Sequence, residues 1–531
     1  MADKYDILVA GGGHNSLICA AYLARAGLRV LVLEACGAAG GNAITEEMIL
    51  PGYQFDACSS AHVLFQSSPT LRNNELHLDK YGLRYLYPDP VVTLPFDDGE
   101  SLTMWRDFNR TVEEIARFSA PDAQAYRQLV ADYESVKKIY GNYRYTPIGY
   151  GPTLDEALAA LPDGLLWQRR NRQSAMEIIT DYFEEEHVRA FMLWLAFLTS
   201  QPIDEPYSGI QAFAIAYGRQ NNGWATPAGG SGALPKALAA LIEDHGGRVL
   251  TGKRVVELIL EGGRCVGART ASGESYYAEK AVVSTIHIKH LVEMAPRPAW
   301  GELFAKGVEQ WQPGFTYFVA HYALTEPPLY PIDGQRQPCV AAGTVNSVDN
   351  LLHLMSDMRR GLIHQDTPVL LAVCSSVVDA SRAPSGRHTL KVMSIFPYDL
   401  KEGGPSRWDE IKEEVARRNL DYLRSLAANL TDAVILGQQV ESPLDLERRN
   451  PANWRGSCHG GEASPAQSGA MRPVPGWASH RMPIAGLYQT GSTTHPGGSV
   501  SGAPGRNAAW VILSDLGYSL EDAIAGEKSN A

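Results

Sequence analysis

A short apolar run, Tyr5-Asp6-Ile7-Leu8-Val9-Ala10, is followed at once by three glycines, which set the pattern Gly11-x-Gly13-x-x-Ser16. That spacing suits the seating of a pyrophosphate against bare backbone. Gly11 permits the tight turn out of a strand, and at Gly13 the missing Cβ lets a phosphate approach the chain. His14, Asn15 and Ser16 then open a helix whose first N–H groups lack intrahelical partners and carry a partial positive charge. Ser16 stands where a third glycine is usual and is small enough for close helix–strand packing. Glu34 closes a second apolar run, Arg29-Val30-Leu31-Val32-Leu33. A carboxylate at that point accepts hydrogen bonds from ribose hydroxyls and repels a 2′-phosphate. A second glycine pair, Gly40-Gly41, followed by Asn42, can lie against the same pyrophosphate. Simple nicotinamide dehydrogenases lack that pair, and it suits FAD.

These groups need a strand, a helix over residues 16–26 and a second strand, a βαβ unit with its turn at the phosphate. Later elements are consistent with more of the same sheet. A helix is predicted from Pro235 to His245, strands at 248–250 and 255–259, and another at 281–285. Residues 483–492 read as a strand ending in glycine. Gly230-x-Gly232 imitates a second nucleotide turn, but only Asn221-Asn222-Gly223-Trp224 precedes it where a buried strand is required. One dinucleotide site is therefore expected, with no docking site for NADPH. Residues 108–220 are predicted to be mostly helical, with helices at 122–140 and 174–199. Residues 315–397 alternate like antiparallel strands, and 409–426 has the pattern of an amphipathic helix.

Composition narrows the partners. The chain has 531 residues, 45% hydrophobic and 20% charged, with a net charge of −12. Such an acidic chain has no overall attraction for nucleic acid or anionic lipid. Seven scattered cysteines with no C-x-x-C argue against structural zinc, a redox dithiol or a disulfide framework; no metal site is expected. No signal peptide or apolar stretch of membrane-spanning length is visible, so a cytoplasmic protein is the expectation. Nothing in the sequence speaks to oligomeric state.

The run Gly40-Gly41-Asn42-Ala43-Ile44-Thr45-Glu46-Glu47, then Pro51-Gly52-Tyr53-Gln54-Phe55-Asp56, resembles the FAD-dependent amine oxidase / phytoene desaturase superfamily, in its carotenoid-desaturase-like branch. Many relatives carry arginine where Asn42 stands, which removes an expected phosphate contact. The likeness returns at Trp224 to Leu234. It is densest in Gly491-Ser492-Thr493-Thr494-His495-Pro496-Gly497-Gly498-Ser499-Val500-Ser501-Gly502-Ala503. The resemblance implies that the backbone of Val255 holds the adenine end of FAD. It also implies that Gly491, Ser492, Gly498 and Val500 pass the flavin, with a helix beginning near 498–502.

The implied fold class is α/β. A discontinuous Rossmann-type FAD-binding domain (1–75, 224–295 and 465–531) joins an α+β substrate domain (76–223 and 296–464). The implied activity is dehydrogenation of a C–C bond in an apolar or alicyclic substrate, such as a ring ketone, a ring carboxylic acid or an isoprenoid. Hydride passes to flavin N5, and oxygen or a quinone-like acceptor reoxidises the cofactor. Two alternatives stay open, a flavin amine oxidase and a non-enzymatic flavin-bound interaction protein. For the proton, the candidates are His62, in a segment that passes the flavin in relatives, His495 in the closing motif, and Tyr488 on the last strand. A structural role stands beside each.

Overall fold

A computed structural model describes residues 4–198 and 201–526. Residues 199 and 200, 1–3 and 527–531 lie outside it, including the end of the helix expected at 174–199 and the end of the segment expected at 465–531.

The apolar strand Tyr5–Ala10 pairs in parallel with Val30–Leu33 on one side and with the end of Ser275–Ser284 on the other. Val30–Leu33 continues in parallel to Arg248–Leu250, and Ser275–Ser284 to Leu487–Gln489. An antiparallel pair, Val255–Glu261 and Arg264–Thr270, completes this seven-stranded sheet. Strands drawn from both ends and the middle of the chain thus share one sheet. Its parallel part reads as continuous apolar runs because both faces are covered. The helix His14–Arg25 is buried along nearly its whole length, in a core shared with helices Ala233–Asp244 and Ala503–Asp515.

A second seven-stranded sheet runs in the order 435–441, 316–324, 388–396, 370–373, 341–344, 92–95, 101–104. Among the described residues, seven helices between Phe108 and Asn222 cover one of its faces, and the helix Trp408–Leu426 covers the other. The strand Thr316–Leu324 pairs antiparallel with His388–Phe396 throughout, as the alternation between 315 and 397 predicts.

Three elements differ from expectation. The helical run expected at 174–199 is two helices, Ala175–Tyr182 and Glu186–Phe197. The Asp122 carboxylate accepts the N–H groups of Glu184 and Glu185, and the Glu185 side chain caps the second helix at Val188 N. The last helix begins at Ala503 instead of at 498–502, with left-handed Gly502 before it, so 498–502 is a loop. The strand expected over 483–492 shortens to Leu487–Gln489.

Candidate functional site

A cavity of about 770 Å³ opens at the carboxyl ends of the parallel strands and runs to the second sheet, the usual place for a ligand in an open α/β sheet. Its nucleotide end is built by the first βαβ turn. Ser16 Oγ donates to the carbonyls of Gly11 (2.7 Å) and Gly13 (2.8 Å), so the residue replacing the third glycine braces the turn from within. Gly40 N donates to Gly12 O at 2.8 Å, laying the second glycine pair against the first. Glu34 accepts Gly12 N at 2.7 Å and Cys36 N at 2.8 Å while its side chain faces the cavity. Each carboxylate oxygen keeps capacity for a further donor.

Of the residues singled out for the cofactor, Gly11, Gly13, His14, Asn15, Glu34, Gly41, Asn42, Val255, Gly491, Ser492, Gly498 and Val500 line this one cavity. Ser16 and Gly40 sit one layer behind its wall. A Cβ built on Gly13 meets nothing nearer than Thr285, at 3.9 Å, so the protein leaves the space in front of that residue open. An open cradle at a turn, a helix N-terminus behind it and a carboxylate at the strand end fit an adenine dinucleotide. Asn42 takes up neighbouring groups in place of a phosphate: its Nδ2 donates to Asn453 Oδ1 and Cys458 O. Gly230-x-Gly232 is not a second nucleotide turn. Its Ser231 and Gly232 N–H groups are taken by Asp56 Oδ1 and Thr45 Oγ1.

The three candidates for proton transfer are not in the cavity wall, which corrects the expectation. His62 is fully buried between Tyr85 Oη (3.0 Å) and Ser231 Oγ (2.7 Å). Burial lowers its pKa to about 3, helped by the nearby His14. His495 is turned to the carbonyl of Tyr143 at 3.0 Å, and burial lowers it to about 4. Tyr488 is half-buried against the core of helices His14–Arg25 and Ala503–Asp515, and donates to Asp515 Oδ2 at 2.8 Å. Alternation along a strand sends neighbouring side chains to opposite faces, and here Leu487 joins the core on the other side of the sheet.

Residues outside these three candidates form the far end. Leu198, Leu371, Val373 and Met393 supply apolar wall, and Tyr317 faces His459 with ring centroids 5.9 Å apart. Burial, then the neighbouring Arg472 charge, lowers His459 to about 4. The thiols of Cys58 and Cys458 meet at the same wall, where a hydrogen bond from Cys458 is the main reason that Cys58 is depressed. Buried Lys391 holds the 56–58 segment by donating to Cys58 O at 2.5 Å. Arg219 and Trp224 complete this end. These residues come from distant segments and carry no local spacing. The one available signal is Trp224, at the start of the second stretch of resemblance.

Among the described residues no helix is long and apolar enough to cross a membrane. The chain is 29% identical to pyridine nucleotide-disulfide oxidoreductase domain-containing protein 2 of Rattus norvegicus, over 97% of this chain and 94% of that protein. It is 25% identical to one of the limonene dehydrogenase subunits of Castellaniella defragrans, over 97% and 95% respectively. The fold matches the crystal structure of an oxidoreductase from Methanosarcina mazei with a TM-score of 0.60 at 16% identity, covering 96% of this chain and 99% of that one. The flavin containing amine oxidoreductase family matches residues 17–513. With that match and the dinucleotide cradle above, the chain belongs to the flavin containing amine oxidoreductases and is an FAD-dependent oxidoreductase.

Proposed function

We propose that the protein dehydrogenates a C–C bond of a small apolar or alicyclic substrate. The observation that carries this reading is the character of the cavity's far end, apolar walls with a half-buried arginine and, among the described residues, no free carboxylate. An alkylamine is itself a cation near neutral pH and would be repelled there. Two acids elsewhere on the wall are engaged, Glu34 by two backbone N–H groups and Glu46 by Arg449 at 3.1 Å, and Glu293 stands with Val255 and His290 away from the second sheet. Likeness to the limonene dehydrogenase polypeptide supports an alicyclic skeleton.

In this reading residues 1–75, 224–295 and 465–531 form the unit that holds FAD, with Gly13, Glu34, Val255 and the 491–500 loop as its contacts. Residues 76–223 and 296–464 hold the substrate. FAD, when bound, supplies the hydride acceptor. The chain's own part is to exclude water with Leu371, Val373 and Met393, to orient the C–H bond, and to take the proton at a neutral imidazole. His459 replaces His62, His495 and Tyr488 in that last role, because it lines the cavity. Oxygen or a quinone-like acceptor removes the electrons.

Anaerobic rapid mixing tests the reading. Saturated ring ketones, ring acids and isoprenoids are expected to bleach the bound flavin, while amines and NADPH do not. Fast bleaching by an amine or by NADPH alone overturns it.

A further inference from the structure

Two buried hydrogen-bond donors at the far end of the cavity have no acceptor. Arg219 leaves the last turn of the helix Gly209–Asn222, and its guanidinium lies 4.1 Å from the centre of the Trp224 ring. Both side chains line the cavity. Arg219 Nη1 and Trp224 Nε1 are both buried without a hydrogen-bond partner. Among the described residues Arg219 makes no ion pair, and burial lowers its pKa to about 10 with no neighbouring carboxylate to offset it. A buried cation without a counter-charge is costly. The molecule retains one beside an equally unsatisfied indole N–H.

We infer that Arg219 and Trp224 together seat a carboxylate carried by the substrate. The guanidinium matches a carboxylate's two oxygens with paired N–H groups, and the indole adds a third donor from the side. A single negative charge fits better than a phosphate dianion, because among the described residues the nearby Lys391 is held by the carbonyls of Asp56 and Cys58. Arg449 is paired with Glu441 and Glu46, and Arg254 stands beside Val255 and Cys36 at the nucleotide end. The inference rests on the proposed function only for assigning the far end of the cavity to substrate. It makes the substrate an apolar or alicyclic acid whose carboxylate fixes which C–H bond is presented.

The test uses binding, so that it stands apart from turnover. Holoenzyme is titrated with cyclohexanecarboxylate and with decanoate, each against its methyl ester, following the visible flavin spectrum and the heat of binding. At least one acid is expected to bind tenfold or more tighter than its ester. R219M is expected to erase that preference with FAD content unchanged, R219K to keep part of it, and W224F to reduce it several-fold. No preference for either acid in the parent protein overturns the inference, as does a preference intact in R219M. Loss of FAD from R219M also overturns it, by assigning the guanidinium to the cofactor. Should R219M not fold, R219K and W224F carry the comparison, and an unchanged preference in both is decisive against it. Failure of every saturated compound to reduce the flavin would end the dehydrogenase reading without touching this result.

Discussion

Gly11 and Gly13 sit two residues apart in one turn, yet the structure demands glycine at each for a different reason, and paired substitutions separate the two. Gly11 has φ +98°, and a Cβ there would lie 2.5 Å from Thr285 Cγ2. Gly11→Ala costs about 1–2 kcal/mol for the left-handed backbone and about 1–3 kcal/mol for overpacking against Thr285. The protein without its cofactor should therefore lose about 2–5 kcal/mol. Gly13 has φ −67° and ψ 159°, which any residue adopts, and open space before it. Gly13→Ala should leave the cofactor-free protein unchanged or more stable by about 0.4–1 kcal/mol, through loss of unfolded-state freedom. Gly13→Val keeps the same backbone but fills the cradle, and should weaken FAD binding at least ~100-fold, about 2.7 kcal/mol. Urea unfolding of cofactor-free protein measures the first pair of effects, and quenching of FAD fluorescence on titration measures the last. Full FAD content in Gly13→Val, or cofactor-free Gly11→Ala as stable as its parent, would refute the placement of the turn.

Asp56 and Arg382 form a buried ion pair at 2.9 Å, and Asp56 also accepts Thr45 Oγ1 and Ser231 N. Asp56→Asn should cost about 3–5 kcal/mol by stranding the arginine, and an unchanged denaturation midpoint would count against that. His459→Asn should lower kcat about 100-fold or more if its imidazole takes the proton, while Tyr488→Phe, outside the cavity wall, should leave kcat within a factor of about two; the reverse ranking would restore Tyr488 to the site. His62, His287, His459, His480 and His495 all have folded-state pKa values lowered to about 3 or about 4 by burial. In the unfolded chain they take protons near pH 6.5, so stability is fully present above that pH and falls toward pH 4. Each contributes a slope of up to about 1.4 kcal/mol per pH unit. Thermal unfolding at pH 7 and pH 5 checks this, and equal midpoints would contradict it. Between pH 6 and 8 the same neutral imidazoles should give kcat/KM no acid limb of their own.

What the sequence discloses and what it hides divide along the range of the forces that build each half of the cavity. The nucleotide end rests on neighbours in sequence. Ser16 bonds to Gly11 and Gly13, and Glu34 to Gly12 and Cys36, so residue type and spacing already specify the turn. The helix 174–199 reads as one element because its break is made by Asp122, a side chain more than fifty residues away that takes the N–H groups of Glu184 and Glu185. His62, His495 and Tyr488 failed as cavity residues for the same reason. Their motifs pass the cavity, but Ser231, Tyr143 and Asp515 decide where the side chains turn. The far end is the extreme case. Arg219 comes from a helix, Tyr317, Leu371 and Met393 from three strands of the second sheet, and His459 from a loop. No spacing could mark them, and the orphan donors of Arg219 and Trp224 are visible only as absences of partners, which a sequence cannot display. Specificity in such a fold is therefore written in the tertiary packing of the second sheet and its helices, while the chemistry is written in short, local glycine motifs. Residues of one kind can be exchanged without disturbing the other, which is why a substitution at Arg219 should change what is bound while leaving FAD in place.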